Sequence, residues 1–103
     1  VLIAYGTSSR VCKGALQAAH GSGLKLGLFR PLTLWPFPTD RIRLLAERGK
    51  RLLAVEMSAG QMVEDVRLAA EGRTRVAHCG QPGGAVPTTL EVIEAARSLL
   101  RLP

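Results

Sequence analysis

Leu52, Leu53, Ala54 and Val55 form an unbroken apolar run, and no other stretch narrows so sharply what this chain can fold into. In an extended strand successive side chains point to opposite faces, so four apolar residues in a row need cover on both sides. Helices on each face of a parallel sheet meet that need. Glu56 ends the run, a short polar turn follows, and Ser58 and Gln61 stand at the spacing of a capping box. Met62, Val66 and Ala69 then recur along one helical face, Val63 and Ala70 flank it, and Gly72 ends the segment. Residues 51–67 are thus expected to form a buried strand that passes through a tight turn into an amphipathic helix.

The same unit recurs along the chain. Residues 1–6, VLIAYG, read as a short strand stopped by Gly6, after which Thr7, Ser8 and Ser9 offer capping hydroxyls. Val11, Ala15, Ala18 and Ala19 are placed inward on a helix that ends near Gly21 and Gly23. Residues 24–30, LKLGLFR, give a second strand that Pro31 stops. In PLTLWPFP, residues 31–38, three prolines hold the chain extended and remove backbone donors. Thr39 is placed as the cap of a short helix with Ile42, Leu45 and Ala46 inward, closing at Gly49. Residues 74–79 form a weaker strand before the turn GQPGG. Thr88 and Glu91 repeat the capping-box spacing ahead of a last helix with Val92, Ala96 and Leu99 on one side, Ile93 and Leu100 beside them.

Four strands alternating with four helical segments predict an α/β domain with a mostly parallel sheet between helices. In such sheets ligands and partners gather where the strands end, near a switch in strand order. The loops concerned are GTSSR, RPLTLWPFP, EMSAGQ and CGQPGG.

Length and composition bound the rest. A chain of 103 residues is one domain, and with 47% apolar but only 4% aromatic residues its core is built from Leu, Val, Ile and Ala. Val1 begins inside an apolar run with no initiator Met, so the expectation is a domain cut from a longer polypeptide. No apolar stretch reaches the ~20 residues of a membrane span, and the start lacks a signal-peptide layout, which makes a cytoplasmic setting the expectation. Cys12 and Cys79 lack CxxC spacing and metal-ligand company, and read as reduced thiols.

The net charge of +6, from 14 basic and 8 acidic residues, raises polyanion binding. Arg10, Lys25, Arg67, Arg75 and Arg101 are scattered, however, and only Arg41, Arg43, Arg48, Lys50 and Arg51 crowd together, with Asp40 and Glu47 among them. That pattern fits a solvated face or a surface for an acidic partner subunit better than a nucleic-acid site.

Several residues are candidates for function. Thr7, Ser8, Ser9 and Arg10 combine hydroxyls, backbone donors and a cation ahead of a helix, which suits either capping or anion contact. Neither the P-loop pattern nor GxGxxG is present. Glu56 faces the positive end of the following helix and is expected to be ionised and firmly held, as a structural partner of an arginine such as Arg30 or as a lone base. Gln61 divides between capping and ligand contact. Asp65 and Arg67 lie two apart on one helix, too poorly aligned to pair with each other, and serve either solvation or a neighbouring domain. Trp35 and Phe37, pinned by prolines, suit an interface anchor as well as a local core. His20 reads as a helix-end surface residue and His78 as a half-buried one, neither as a metal ligand.

Together, VLIAYGTSSR, FRPLTLWPFP, LLAVEMSAGQMVEDVR and CGQPGG, in this order and over nearly the whole chain, resemble the second domain of the alpha subunit of 2-oxoacid:ferredoxin oxidoreductases. The resemblance implies a transketolase C-terminal-like fold, three α/β/α layers around a mixed, mostly parallel sheet of five strands, so that one further strand is expected within 31–34 or 84–88. It also implies the parent reaction, thiamine-diphosphate-dependent oxidative decarboxylation of a 2-oxoacid, with CoA as acyl acceptor and ferredoxin as electron acceptor. The matched positions are Arg30, Pro31, Trp35, Pro36, Glu56, Gly60, Gln61, Asp65 and Arg67. Thiamine diphosphate, Mg and the iron-sulfur cluster are implied to belong to other domains or to the beta subunit, leaving this domain without catalytic, cofactor or metal residues of its own. Ser58 departs from the Asn that relatives carry, an exchange that keeps capping and removes the amide. The expected role is assembly and shaping of a neighbouring site through Arg30, Trp35, Phe37, Glu56, Gln61, Asp65 and Arg67, without activity in isolation. The alternative is a stand-alone phosphate- or nucleotide-binding module using GTSSR and EMSAGQ.

Overall fold

In a computed structural model, which describes residues 1–4, 7–21, 23, 26–31, 38–56, 61–80 and 87–101, strands and helices alternate throughout. Their order is β1 (Leu2–Ala4), α1 (Thr7–Gly21), β2 (Leu28–Phe29), α2 (Thr39–Glu47), β3 (Leu52–Val55), α3 (Gln61–Ala70), β4 (Val76–Cys79) and α4 (Thr89–Arg101). The strands lie in the order β2-β1-β3-β4, every neighbouring pair parallel.

The run at 52–55 is buried at every position, and its alternation sorts the core into two halves. Leu52 and Ala54 join Ile3 against Ile42 and Ala46 of α2 and Met62, Val63, Val66, Ala69 and Ala70 of α3. Leu53 and Val55 face the other way, with Leu2 and Ala4, against Cys12 and Ala15 of α1 and Val92, Ala96 and Leu99 of α4. The result is the expected α/β/α sandwich, α1 and α4 on one face and α2 and α3 on the other. Apolar burial on both faces, worth about 1.5–3 kcal/mol for each large side chain, is what fixes the sheet between its helices.

The structure departs from the sequence reading at definable points. The sheet has four strands, not five, among the described residues. Pro31, Pro87 and Thr88 lie outside strands, and the remainder of 31–34 and 84–88 lies outside the described residues. β2 covers two residues rather than 24–30, as befits an edge strand that pairs with β1 alone. Thr39 is not the cap of α2: Pro38 occupies that position, with no side-chain hydrogen bond, and Thr39 is already helical. Ala18 is exposed, because the buried stripe of α1 runs through Ser8, Cys12, Ala15 and Ala19 instead. Leu100 too is exposed. The last capping box is present as expected: the Glu91 amide donates to Thr88 Oγ1 at 3.2 Å and the Thr88 amide to Glu91 Oε1 at 3.3 Å.

α3 ends on Glu71, a non-glycine residue in the left-handed region at φ 51°, followed by Gly72 at φ 74°. Two arginines hold the strained residue, Arg43 at 3.5 Å and Arg73 at 3.6 Å, and Arg73 also reaches Glu47 at 3.2 Å. This network ties the end of α3 to α2.

The two thiols are free, Cys12 buried and Cys79 half-buried. Burial, reinforced by the neighbouring Cys79, pushes the Cys12 thiol up to about 12 from an ordinary 9.0.

Three substitutions test this architecture. Leu53→Ala should cost about 2–5 kcal/mol through lost burial and a residual cavity, and Thr88→Ala about 1 kcal/mol through the lost cap. Both are read as shifts of the urea midpoint. The raised Cys12 thiol means that the unfolded chain loses its proton first as pH climbs. Stability should therefore fall from about pH 9 to 12. Cys12→Ala should flatten that decline, and an unchanged slope would refute the assignment.

Candidate functional site

The chain leaves β1 for β2 on one side and returns to β3 on the other, so strand order switches between β1 and β3. Their carboxyl ends feed the N-termini of α1 and α3, which lie on opposite faces of the sheet. In α/β proteins ligands bind outside the carboxyl ends of the strands at such a switch point.

Glu56 is the centre of this edge. It follows β3 directly and is only 8% exposed. Its carboxylate accepts the backbone N–H of Met62 at 2.8 Å through Oε1 and that of Val63 at 3.0 Å through Oε2. Two of the otherwise unpaired donors at the start of α3 are thereby satisfied by a charge that the helix dipole favours. Such charge-assisted bonds contribute about 1.5–3 kcal/mol each, enough to hold a carboxylate in a buried place.

His78 completes the arrangement. It pairs with Ala54 in the register between β3 and β4, two residues short of Glu56 and thus on the same face of the sheet. Its Nε2 comes to 3.4 Å from Glu56 Oε2, an ion pair whenever the ring is protonated. The approach is a contact of charges rather than an aligned hydrogen bond, since Nε2 is buried with no hydrogen-bonding partner. Gly80 closes the corner: a Cβ there would lie 2.5 Å from the Glu56 carbonyl oxygen and 2.9 Å from His78 Nε2. Only glycine fits.

Arg30 does not hold this carboxylate. It stands exposed just past β2, and the helix amides and His78 take the place expected for it. Gln61 opens α3, its side chain outside the described residues, as are Ser58, Gly60, Trp35, Pro36 and Phe37. Asp65 and Arg67 are exposed on α3 and, as their spacing requires, do not pair. Arg67 reaches Glu64 at 3.3 Å instead. Pro31 is fully buried.

The N-terminus of α1 differs from that of α3. Its first turn carries no acidic residue. Ser8 and Ser9 are buried, the Ser8 hydroxyl with no hydrogen-bonding partner among the described residues, and Arg10 is exposed. The Thr7 side chain lies outside the described residues. Sequence spacing could not have found His78 and Gly80, because 22 and 24 residues separate them from Glu56 and only the parallel register of β4 brings them together.

Among the described residues the donor set does not suit a resident metal or cluster. Among the described residues no three His, Cys, Asp or Glu side chains gather to hold an ion. The chain's two cysteines fall short of the four thiolates of a common iron-sulfur cluster, and burial holds both as thiols. Chemically, the edge is a rigid polar corner with its own anion in place.

Glu56→Gln should lower stability by about 1–3 kcal/mol, since a neutral amide replaces the helix-capping charge. Gly80→Ala should cost about 1–3 kcal/mol by overpacking and shift the His78 ring resonances. Urea midpoints and imidazole NMR check both, and an unmoved His78 signal in the Gly80 variant would contradict the geometry.

Comparison with known proteins places this geometry. The family model for pyruvate:ferredoxin oxidoreductase core domain II matches residues 1–92. The chain is 46% identical over 99 residues to ketoisovalerate oxidoreductase subunit VorB of Methanothermobacter thermautotrophicus, covering 96% of this chain and 28% of that one. It is 36% identical over 92 residues to 2-oxoglutarate synthase subunit KorA of the same organism, covering 89% and 24%. The chain therefore spans about a quarter of the length of these relatives. A solved 2-oxoglutarate:ferredoxin oxidoreductase from Magnetococcus marinus superposes with a TM-score of 0.81 over 97% of this chain and 17% of its own, at 23% identity, a likeness of fold. Matched by that model over most of its length, the chain belongs to the pyruvate:ferredoxin oxidoreductase core domain II family, as the resemblance of its four sequence blocks to the second domain of 2-oxoacid:ferredoxin oxidoreductases implied.

Proposed function

We propose that this chain is an assembly and site-shaping domain of a thiamine-diphosphate-dependent 2-oxoacid:ferredoxin oxidoreductase, an enzyme that oxidatively decarboxylates a 2-oxoacid to acyl-CoA and passes the electrons to ferredoxin. The domain is not catalytic alone. It works within an alpha subunit in the cytoplasm, against the other domains of that subunit and a beta subunit that binds thiamine diphosphate. Mg and the iron-sulfur cluster sit elsewhere in the assembly, and CoA is a co-substrate of the whole.

The observation that carries this reading is the state of Glu56. A carboxylate tied to two helix amides and facing a histidine is committed to local structure. A general base needs the opposite, an accessible lone pair within reach of the proton it removes. Glu56 instead ties the end of β3 to the start of α3. A rigid corner suits a surface pressed against a catalytic neighbour. The same occupancy argues against an external phosphate at the start of α3, one half of the nucleotide-binding alternative.

Two measurements test the proposal. The isolated domain should show no 2-oxoacid-dependent reduction of ferredoxin, and calorimetry with CoA, ATP and thiamine diphosphate should give at most weak binding; turnover or tight binding would overturn it. In the assembled enzyme, Arg30→Glu, Asp65→Lys and Arg67→Glu should weaken association of the subunits. Each should leave the domain's own stability within about 0.5 kcal/mol, as expected of surface residues.

A further inference from the structure

The N-terminus of α1 lacks what the other three helices supply for themselves. α2, α3 and α4 carry Asp40, Glu64 and Glu91 in their first turns, and α3 holds the Glu56 carboxylate as well. α1, the longest helix at 15 residues, carries no acidic residue there. The amides of a first turn have no intrahelical acceptor and sit at the positive end of the dipole, so they draw an anion. The first charges along α1 are instead the cations Arg10 and Lys13. Both are exposed and one turn apart, and neither is paired to a carboxylate among the described residues.

Ser8 adds a second, independent observation. It is 1% exposed, and its hydroxyl has no hydrogen-bonding partner among the described residues. A buried serine on a helix ordinarily bonds a carbonyl one turn back, and Ser8 does not. The Cα–Cβ bonds of a helix tilt toward its N-terminus, so the second residue of α1 directs its side chain back toward the first-turn amides. Ser8 also stands one turn before Cys12, which packs with Ala4 and Val55, the last residues of β1 and β3. The hydroxyl therefore lies where these two strands end, at the switch in strand order. A donor left open beside uncompensated amides and below an exposed guanidinium fits an acceptor with several oxygens and a negative charge.

We infer that the first turn of α1, with the Ser8 hydroxyl at its base and Arg10 at its rim, is a binding site for a phosphate group. The hydroxyl and the backbone amides donate to the phosphate oxygens, and Arg10 with Lys13 draws the anion in. Sequence pattern offers no sign of it beyond the hydroxyls of GTSSR, because the open donor is visible only once Ser8 is buried. The site is separate from the Glu56 corner, whose anion is built in. One helix terminus and two exposed cations supply an affinity in the millimolar range, compatible with the weak binding expected of an assembly domain.

The test uses urea midpoints of this chain in inorganic phosphate and in chloride at matched ionic strength, since a ligand of the folded state alone raises the midpoint. Phosphate should raise it and move the NMR amide signals of Ser8 and Arg10. Ser8→Ala should raise the midpoint in chloride, because it removes an unsatisfied buried hydroxyl, and should lose most of the phosphate effect. A serine held only for structure would give the opposite sign in chloride. Arg10→Gln should leave the chloride midpoint unchanged, as expected of an exposed residue, and reduce the phosphate effect. The same titration with AMP and CoA separates the sources: a rise with inorganic phosphate marks the free ion as sufficient, and a rise with AMP or CoA alone marks a phosphate ester. No rise with any of them, or a rise that Ser8→Ala keeps in full, overturns the site. That failure leaves the assembly reading standing, which falls only to turnover or tight binding by the isolated domain.

Discussion

The fold depends on one constraint: β3, and β1 beside it, are apolar on both sides. Leu53 and Val55 need α1 and α4; Leu52 and Ala54 need α2 and α3. A sheet covered on both faces by helices that connect its own strands must be wound in both directions from a central pair. Winding in both directions creates the switch between β1 and β3. The switch point at the carboxyl end is therefore a consequence of core packing. The same winding sends every helix C-terminus to the amino end of the sheet, and the chain's cations accumulate there.

Much of this was legible in the sequence because local chemistry and tertiary demand coincide. At α3 the apolar spacing of Met62, Val63, Val66, Ala69 and Ala70 matches the buried face residue for residue. At α4 the Thr88 and Glu91 spacing marks a capping box that forms as expected. Where local signals are weak, the reading drifted. Alanine fits equally well inside and outside a helix, so Ala18 could be set on the buried stripe when Cys12 belongs there. A hydroxyl before a helix reads as a cap, yet Thr39 falls one position inside because Pro38 already fixes the entry. An alternating heptapeptide at 24–30 resembles a full strand, but among its described residues only Leu28 and Phe29 pair in register with β1.

The site was legible only in half. That Glu56 should sit at a helix N-terminus follows from strand, turn and helix in sequence order. Its partners do not. Arginine is the statistically natural counter-charge for a buried carboxylate, and Arg30 was the arginine near a strand end. The winning partners are two backbone amides, which carry no sequence identity, and a histidine brought over by the pairing of Ala54 with His78. Gly80 belongs to the same class: its need for a missing Cβ arises from the Glu56 carbonyl and the His78 ring, not from its own turn.

The two helix N-termini at the switch point divide the labour of this edge. At α3 the anion is internal, so two of its first amides are committed and the corner is fixed. At α1 no acidic residue enters the first turn, the Ser8 hydroxyl is buried without a partner among the described residues, and Arg10 is exposed. A buried hydroxyl left without a hydrogen bond costs about 1–3 kcal/mol, which local packing must offset. The buried carboxylate of Glu56 is committed to two backbone amides at that corner. On the proposed assembly role, the chemistry is supplied from neighbouring parts, and this domain contributes a surface held firm at that corner.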